Sequence, residues 1–104
     1  MNADRAAALR AMLDEDPEDA FALYGLAMEH KAGDDLEAAE ALLRRVLAVQ
    51  PTHLYGHYQL AEVLLADLRP DEAAEVLDAG IEHARGARDG KALSELQALR
   101  DECE

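Results

Sequence analysis

The sequence predicts an all-α fold of about six helices arranged as repeated antiparallel pairs. Three observations predict it: a 34-residue internal repeat, helix start and stop signals around short turns, and the absence of any segment alternating with a strand period. Pro17 and Pro51 stand one repeat apart. The same offset lays Tyr24 on Tyr58, Leu26 on Leu60, Ala27 on Ala61, Ala32 on Ala66, Ala39 on Ala73 and Leu43 on Leu77. One step towards the N-terminus, Leu9 falls on Leu43, Met12 on Val46 and Leu13 on Leu47, so the first helix reads as the second half of a truncated earlier unit.

Helices are expected over 3–15, 18–32, 35–49, 52–67, 70–86 and 90–102. In "AGDDLEAAE", Gly33 suits a left-handed helix end and Asp34 or Asp35 an N-cap, with Glu37 at capping-box spacing from Asp34. Thr52, after Pro51, is expected to cap the fourth helix. In "LRPDEAAE", Pro70 falls at a first helical position, where its missing N–H costs nothing. Asp71 and Glu72 then occupy a turn that favours negative charge.

Composition limits the functions open to such a chain. At 104 residues with half of them apolar, it can bury one core without metal or disulfide, and a single domain is expected over 1–104. The formal charge of −13, from 23 acidic and 10 basic residues, opposes binding to nucleic acid or anionic membrane. No apolar run approaches the roughly 20 residues of a membrane span, and residues 1–15 mix charges among alanines, unlike a signal peptide. The expectation is a soluble, cytoplasmic protein. Cys103, the only cysteine, lies one residue from the C-terminus and reads as a spectator thiol.

The repeat resembles the tetratricopeptide repeat, whose 34 residues form two antiparallel helices with large, Leu, small and aromatic positions in the first, and Ala, large, Ala and Pro in the second. In the first copy these are Leu23, Leu26, Ala27 and His30, then Ala39, Leu43, Val46 and Pro51. In the second they are His57, Leu60, Ala61 and Leu64, then Ala73, Leu77 and Gly80, with Arg85 in place of the proline. The histidines depart from the pattern, as does Asp34 at the usual turn glycine. The tail from Gly80 is similar to that of short bacterial two-repeat proteins. The resemblance implies a right-handed superhelical stack: an N-terminal half-repeat helix over 1–16, repeat 1 over 17–50, repeat 2 over 51–86 and a capping helix over 87–104.

The small residues have a reading independent of any family. Ala27, Ala39, Ala61, Ala73 and Gly80 recur where paired helices approach, because axes about 8–10 Å apart admit only small side chains at the crossing. Two full repeats are fewer than the three or so a solenoid needs, so the first and last helices are expected to cap the stack. Leu93, Leu96, Leu99 and Cys103 supply the last helix with one apolar stripe.

Phe21, Tyr24, Tyr55 and Tyr58 are every aromatic residue in the chain. At about 100° per residue from Leu23, the positions Leu26, Ala27 and His30 gather on one arc, while Phe21, Tyr24 and Met28 gather at about 160°, 100° and 140°. The second copy repeats the layout with Tyr55, Tyr58, Glu62 and Leu65. In the family, first helices line a concave groove. The resemblance therefore implies a partner-binding surface of Phe21, Tyr24, Met28, Lys31, Tyr55, Tyr58, Glu62 and Leu65. Packing between neighbouring first helices would use the same stripe equally well.

Other chemistry is thin. His53 and His57 are spaced to share a metal but lack a third ligand at motif spacing, and a packed or capping role is expected for both. No phosphate loop or nucleophile–base motif is present, so neither an enzyme nor a cofactor is expected. The expected function is a small module or adaptor that binds a neutral or basic peptide segment or protein, with Glu29 and Glu62 among the selecting carboxylates. The alternative is a self-associating scaffold, such as a homodimer.

Overall fold

The computed structural model describes residues 1–104 and contains six helices and no strand. They are α1 (Ala3–Glu15), α2 (Ala20–Ala32), α3 (Leu36–Val49), α4 (Leu54–Ala66), α5 (Pro70–Ala87) and α6 (Gly90–Asp101). Every boundary lies within two residues of its expected position, and the fold is an all-α helical repeat. The shifts at the N-termini have one cause: the capping residue itself is not helical. Asn2, Asp19, Asp35, His53 and Asp89 each accept the backbone N–H three residues on, at 2.9–3.2 Å. α5 is the exception, with Pro70 at its start as expected and no side-chain cap. There Arg69 binds Asp67 and Glu72 instead.

Three local expectations are corrected. The cap of α4 is His53, one residue beyond Thr52. Asp35 caps α3, so Glu37 does not complete a capping box. The left-handed residue of the α2–α3 turn is Asp34, at φ 60°, while Gly33 has φ −90°. Leu68, one repeat later, has φ 59°. Both turns thus have the same backbone shape, and neither uses the glycine that would hold it without strain.

Backbone contacts divide the chain into two compact units, Met1–Pro51 and Thr52–Glu104. In the first, α2 packs against both α1 and α3 around Leu9, Leu23, Leu26, Leu42, Leu43 and Val46. Ala27 and Ala39 have no exposed surface, as a close α2–α3 crossing requires. α1 approaches α2 with Leu9 over Gly25, where an added methyl would stand 3.1 Å from Leu9 Cδ2.

In the second unit α4, α5 and α6 pack on one another around Leu60, Val63, Leu64, Leu77, Ile81, Leu96 and Leu99. Ala61 and Ala73 are fully enclosed. Leu96 and Leu99 carry the apolar stripe of α6, with Leu93 and Cys103 half-buried beside them. Arg100 ties α6 to α5 through Asp78 at 2.9 Å. The tightest approach is at Gly80, where an added methyl would stand 2.8 Å from His57 Cβ and 3.1 Å from His57 Cγ.

Helix propensity alone makes Gly80→Ala stabilising by about 1 kcal/mol, whereas overpacking costs about 1–3 kcal/mol. Because the obstacle is the Cβ of His57 rather than a flexible chain end, urea denaturation should show a net loss of stability. A gain would mean that α4 and α5 stand further apart. Leu68 is 87% exposed, so its replacement removes almost no packing. Leu68→Gly should therefore raise the stability of the chain by about 0.5–1 kcal/mol, the left-handed strain it relieves less the added chain entropy. An unchanged or lower denaturation midpoint would refute that strain.

Candidate functional site

The inward side of α2 is formed by Leu23, Leu26 and Ala27, and that of α4 by His57, Leu60, Ala61 and Leu64. Of the residues between those positions, Tyr24 on α2 and Tyr58 and Glu62 on α4 stand at the margin of the core and are only partly covered. On α2, Phe21 is 73% exposed, and Tyr24, Met28 and Lys31 are half-buried. On α4, Tyr55 is 36% exposed, and Tyr58, Glu62 and Leu65 are half-buried. All eight expected residues thus reach solvent in part. The largest enclosed side chains are leucines and valines, and no aromatic ring is among them.

Within the second unit the rings of Tyr55 and Tyr58 meet edge to face, centroids 6.4 Å apart and planes at 61°. Their three-residue spacing puts them on neighbouring turns of one helix face. Burial pushes the Tyr58 hydroxyl above the ordinary tyrosine value, and the charges of Glu62, Glu95 and Glu102 push it in the same direction.

Glu29 is not a groove carboxylate. It is buried, its Oε1 accepting the Asn2 backbone N–H at 2.7 Å and its Oε2 paired with Arg5 at 3.1 Å. The Asn2 hydrogen bond lowers its pKa below the ordinary 4.5. Burial opposes that shift, and Arg5 and the N-terminal charge reinforce it. The repeat offset contained the signal, since Glu29 falls on Val63, a core position of the second unit. A buried carboxylate there needs partners, and the N-terminal segment supplies them.

The two histidines of α4 have separate structural duties. His53 Nδ1 accepts the Gly56 N–H at 2.9 Å, and His57 Nδ1 lies 3.2 Å from the Val76 carbonyl. A carbonyl only accepts, so His57 Nδ1 carries a proton and donates it, while its ring lies 5.5 Å from that of His83. No group of three or more His, Cys, Asp or Glu side chains is placed to hold a metal ion. Burial raises the pKa of Cys103, against the pull of Arg100, the opposite of what an activated thiol needs. Sequence reasoning did not single out one further feature, an open cleft of about 320 Å³ lined by Pro17, Glu18, Leu23, Arg45, Ala48 and Val49. Arg45 bonds the Pro17 carbonyl at its edge, at 3.1 Å.

Residues 30–99 match the sequence profile of the tetratricopeptide repeat. A tetratricopeptide repeat domain protein from Salinibacter ruber, solved by NMR, is 36% identical with a TM-score of 0.79, covering 86% of this chain and 90% of that one. The TPR2B domain of yeast Sti1, in its pHsp70 complex, is 20% identical with a TM-score of 0.88, covering 94% and 78%. An O-GlcNAc transferase mutant from Thermobaculum terrenum is 27% identical with a TM-score of 0.76, covering 90% of this chain and 18% of the transferase. No curated protein matches the chain.

The His53 cap makes the second unit sensitive to acid. Only a neutral Nδ1 accepts the Gly56 N–H, and protonation turns the acceptor into a donor. Burial, aided by His57 and opposed by a bond to its own backbone, holds His53 below the ordinary value of 6.5. The unfolded chain therefore takes up the proton first, so the cap's contribution is complete above pH 6.5 and is lost as pH falls towards the folded value. His53→Ala should cost about 1 kcal/mol at pH 7.5. His53→Asp, which restores the residue type of Asp19 one repeat earlier, should hold its cap at pH 5.5. A stability difference between wild type and His53→Asp that stays constant from pH 7.5 to 5.5 would refute the account.

Proposed function

Because the chain belongs to the tetratricopeptide repeat family, we propose that it is a small protein-interaction module and that a neutral or basic segment of a partner protein lies against its first-helix faces. Those faces are α2 in the first unit and α4 in the second. The supporting observation is the placement of the aromatics: Phe21, Tyr24, Tyr55 and Tyr58 all reach solvent while the interior is closed by aliphatic side chains. Aromatic rings bury large area with few rotatable bonds, which makes them effective anchors in a protein interface.

Charge narrows the partner. A net −13 repels an acidic segment and speeds the approach of a neutral or basic one. The Sti1 domain, seen in its pHsp70 complex, is a precedent for this fold engaging another protein.

A peptide library displayed on phage and selected on the wild-type chain should yield sequences whose capture is weakened by Tyr24→Ala and by Tyr58→Ala. The expected loss is about 1–2 kcal/mol in each variant. Folding stability in urea should fall by less than about 1 kcal/mol, against the 3–5 kcal/mol typical of a buried aromatic cut to alanine. Stability losses in that upper range for both variants would remove the reading, as would selected peptides indifferent to both.

A further inference from the structure

We propose that the chain associates with copies of itself head to tail, Leu68 of one copy entering the apolar cleft at Pro17, Leu23, Ala48 and Val49 of the next. The contact uses none of the eight first-helix residues and so goes beyond the partner-binding reading.

The first feature behind it is Leu68. It sits in the α4–α5 turn with φ 59°, and at 87% it is the most exposed large apolar side chain in the protein. The α2–α3 turn is its copy one repeat earlier. There the N–H of Asp34 donates to the Lys31 carbonyl at 3.0 Å and that of Asp35 to the His30 carbonyl at 2.9 Å, as Leu68 does to Leu65 and Arg69 to Leu64 at the same distances. This backbone thus accepts a polar residue, and Asp34 and Arg88, the other left-handed residues, are both polar. Aspartate tolerates the left-handed region, whereas a bulky leucine is strained in it. Leu68 bears that strain while burying almost nothing within its own chain. A strained residue that stabilises nothing in its own fold is accounted for by a contact outside it.

The second feature is the cleft. Its volume of about 320 Å³ lies at the lower end of the range for binding pockets, which suits one aliphatic side chain better than a large ligand. Its walls are apolar apart from Glu18 and Arg45, two exposed residues of opposite charge. The Pro17 carbonyl holds Arg45 there at 3.1 Å. Leu68 is flanked in the same way, by Asp67 and Arg69, whose paired side chains stay 55% and 32% exposed. One orientation of the inserted turn sets Arg69 towards Glu18 and Asp67 towards Arg45. Exposed charges of this kind fix orientation more than strength, and Leu68 supplies the apolar contact.

The inserted turn and the cleft are different surfaces, so the contact is heterologous, and every added copy leaves one of each unfilled. Its small area makes it weak, with a Kd of about 0.1–1 mM. The charge of −13 on each copy weakens it further at low salt.

The test is sedimentation velocity on the full chain at concentrations up to about 1 mM, in about 0.3 M salt so that screening limits the repulsion. The average mass of the wild type should climb with concentration. Leu68→Asn keeps a residue that tolerates the left-handed turn, and Ala48→Gln lengthens an exposed side chain of the cleft. Each should associate at least about tenfold more weakly. Met12→Gln, which removes an exposed apolar side chain from α1, should associate as wild type does. An equal mixture of Leu68→Asn and Ala48→Gln separates a specific contact from general loss. The first variant retains the cleft and the second retains Leu68, so together they should form dimers of one chain of each and nothing larger. In the wild type, NMR should show the methyl resonances of Leu68 and Val49 moving together with concentration while the Phe21 ring stays unmoved, a readout that needs no variant to fold.

A wild type that stays monomeric throughout overturns the proposal, as does a mixture no more associated than its two components. Equal loss in Met12→Gln also overturns it, reducing the association to unspecific apolar contact. Shifts at Phe21 in place of Leu68 move the self-contact to the first-helix face and overturn it too. The interaction-module reading is tested separately, by peptide capture at Tyr24 and Tyr58, which lie outside this contact.

Discussion

Two helices whose axes lie about 8–10 Å apart leave room for little more than a methyl group at their crossing, and the packing of each unit depends on meeting that limit. Ala27 and Ala39 meet it between α2 and α3, and Ala61 and Ala73 between α4 and α5, all four without exposed surface. With the backbones that close, the leucines at neighbouring positions interdigitate and close the core. The aromatic rings, too large for a crossing, stand on the turns between these contacts. The aromatic surface is in this sense a consequence of the crossing limit.

The two repeats then diverge where each unit needs something particular. The core position held by Leu23 in the first is His57 in the second, and the residue paired with it by the repeat changes from Val46 to Gly80. The exchange is coupled. His57 donates to the Val76 carbonyl, and α5 comes so close to it that a Cβ on Gly80 would stand 2.8 Å from His57 Cβ, which favours a residue without one. Glu29 in place of the Val63 position is the converse case. There a core site admits a carboxylate because the Asn2 N–H and Arg5 are folded onto it, which fixes the start of α1 against α2.

On α4 the position one turn beyond Tyr58 is Glu62, and burial together with the charges of Glu62, Glu95 and Glu102 holds the Tyr58 hydroxyl above its ordinary pKa. On α2 the equivalent position is Met28, and the buried Glu29 is already held by the N-terminal segment. One repeated scaffold therefore carries two faces of different chemistry. That division follows from side-chain changes at a few helix positions and needs no change of backbone.

Periodicity and turn chemistry were enough to read the six helices to within two residues, because a 34-residue spacing and capping side chains act through local geometry. The same local rules identified Gly80 as a close crossing and Leu96 and Leu99 as the inner stripe of the last helix. They failed where two local solutions were equally good. Asp34 rather than the adjacent Gly33 takes the left-handed turn position, and His53 rather than Thr52 caps α4. The sequence by itself also placed the eight candidate residues on one arc of each first helix, since angular position follows from residue number. How far each side chain would be covered, and which carboxylates would stand near which ring, depended on helices distant in the chain. Glu29 was drawn into the core by a residue 27 positions away, and Glu95 and Glu102 were brought to Tyr58 by the packing of α6. Local sequence encodes direction along a helix, whereas burial and charge proximity are sums over neighbours that only the packed tertiary structure supplies.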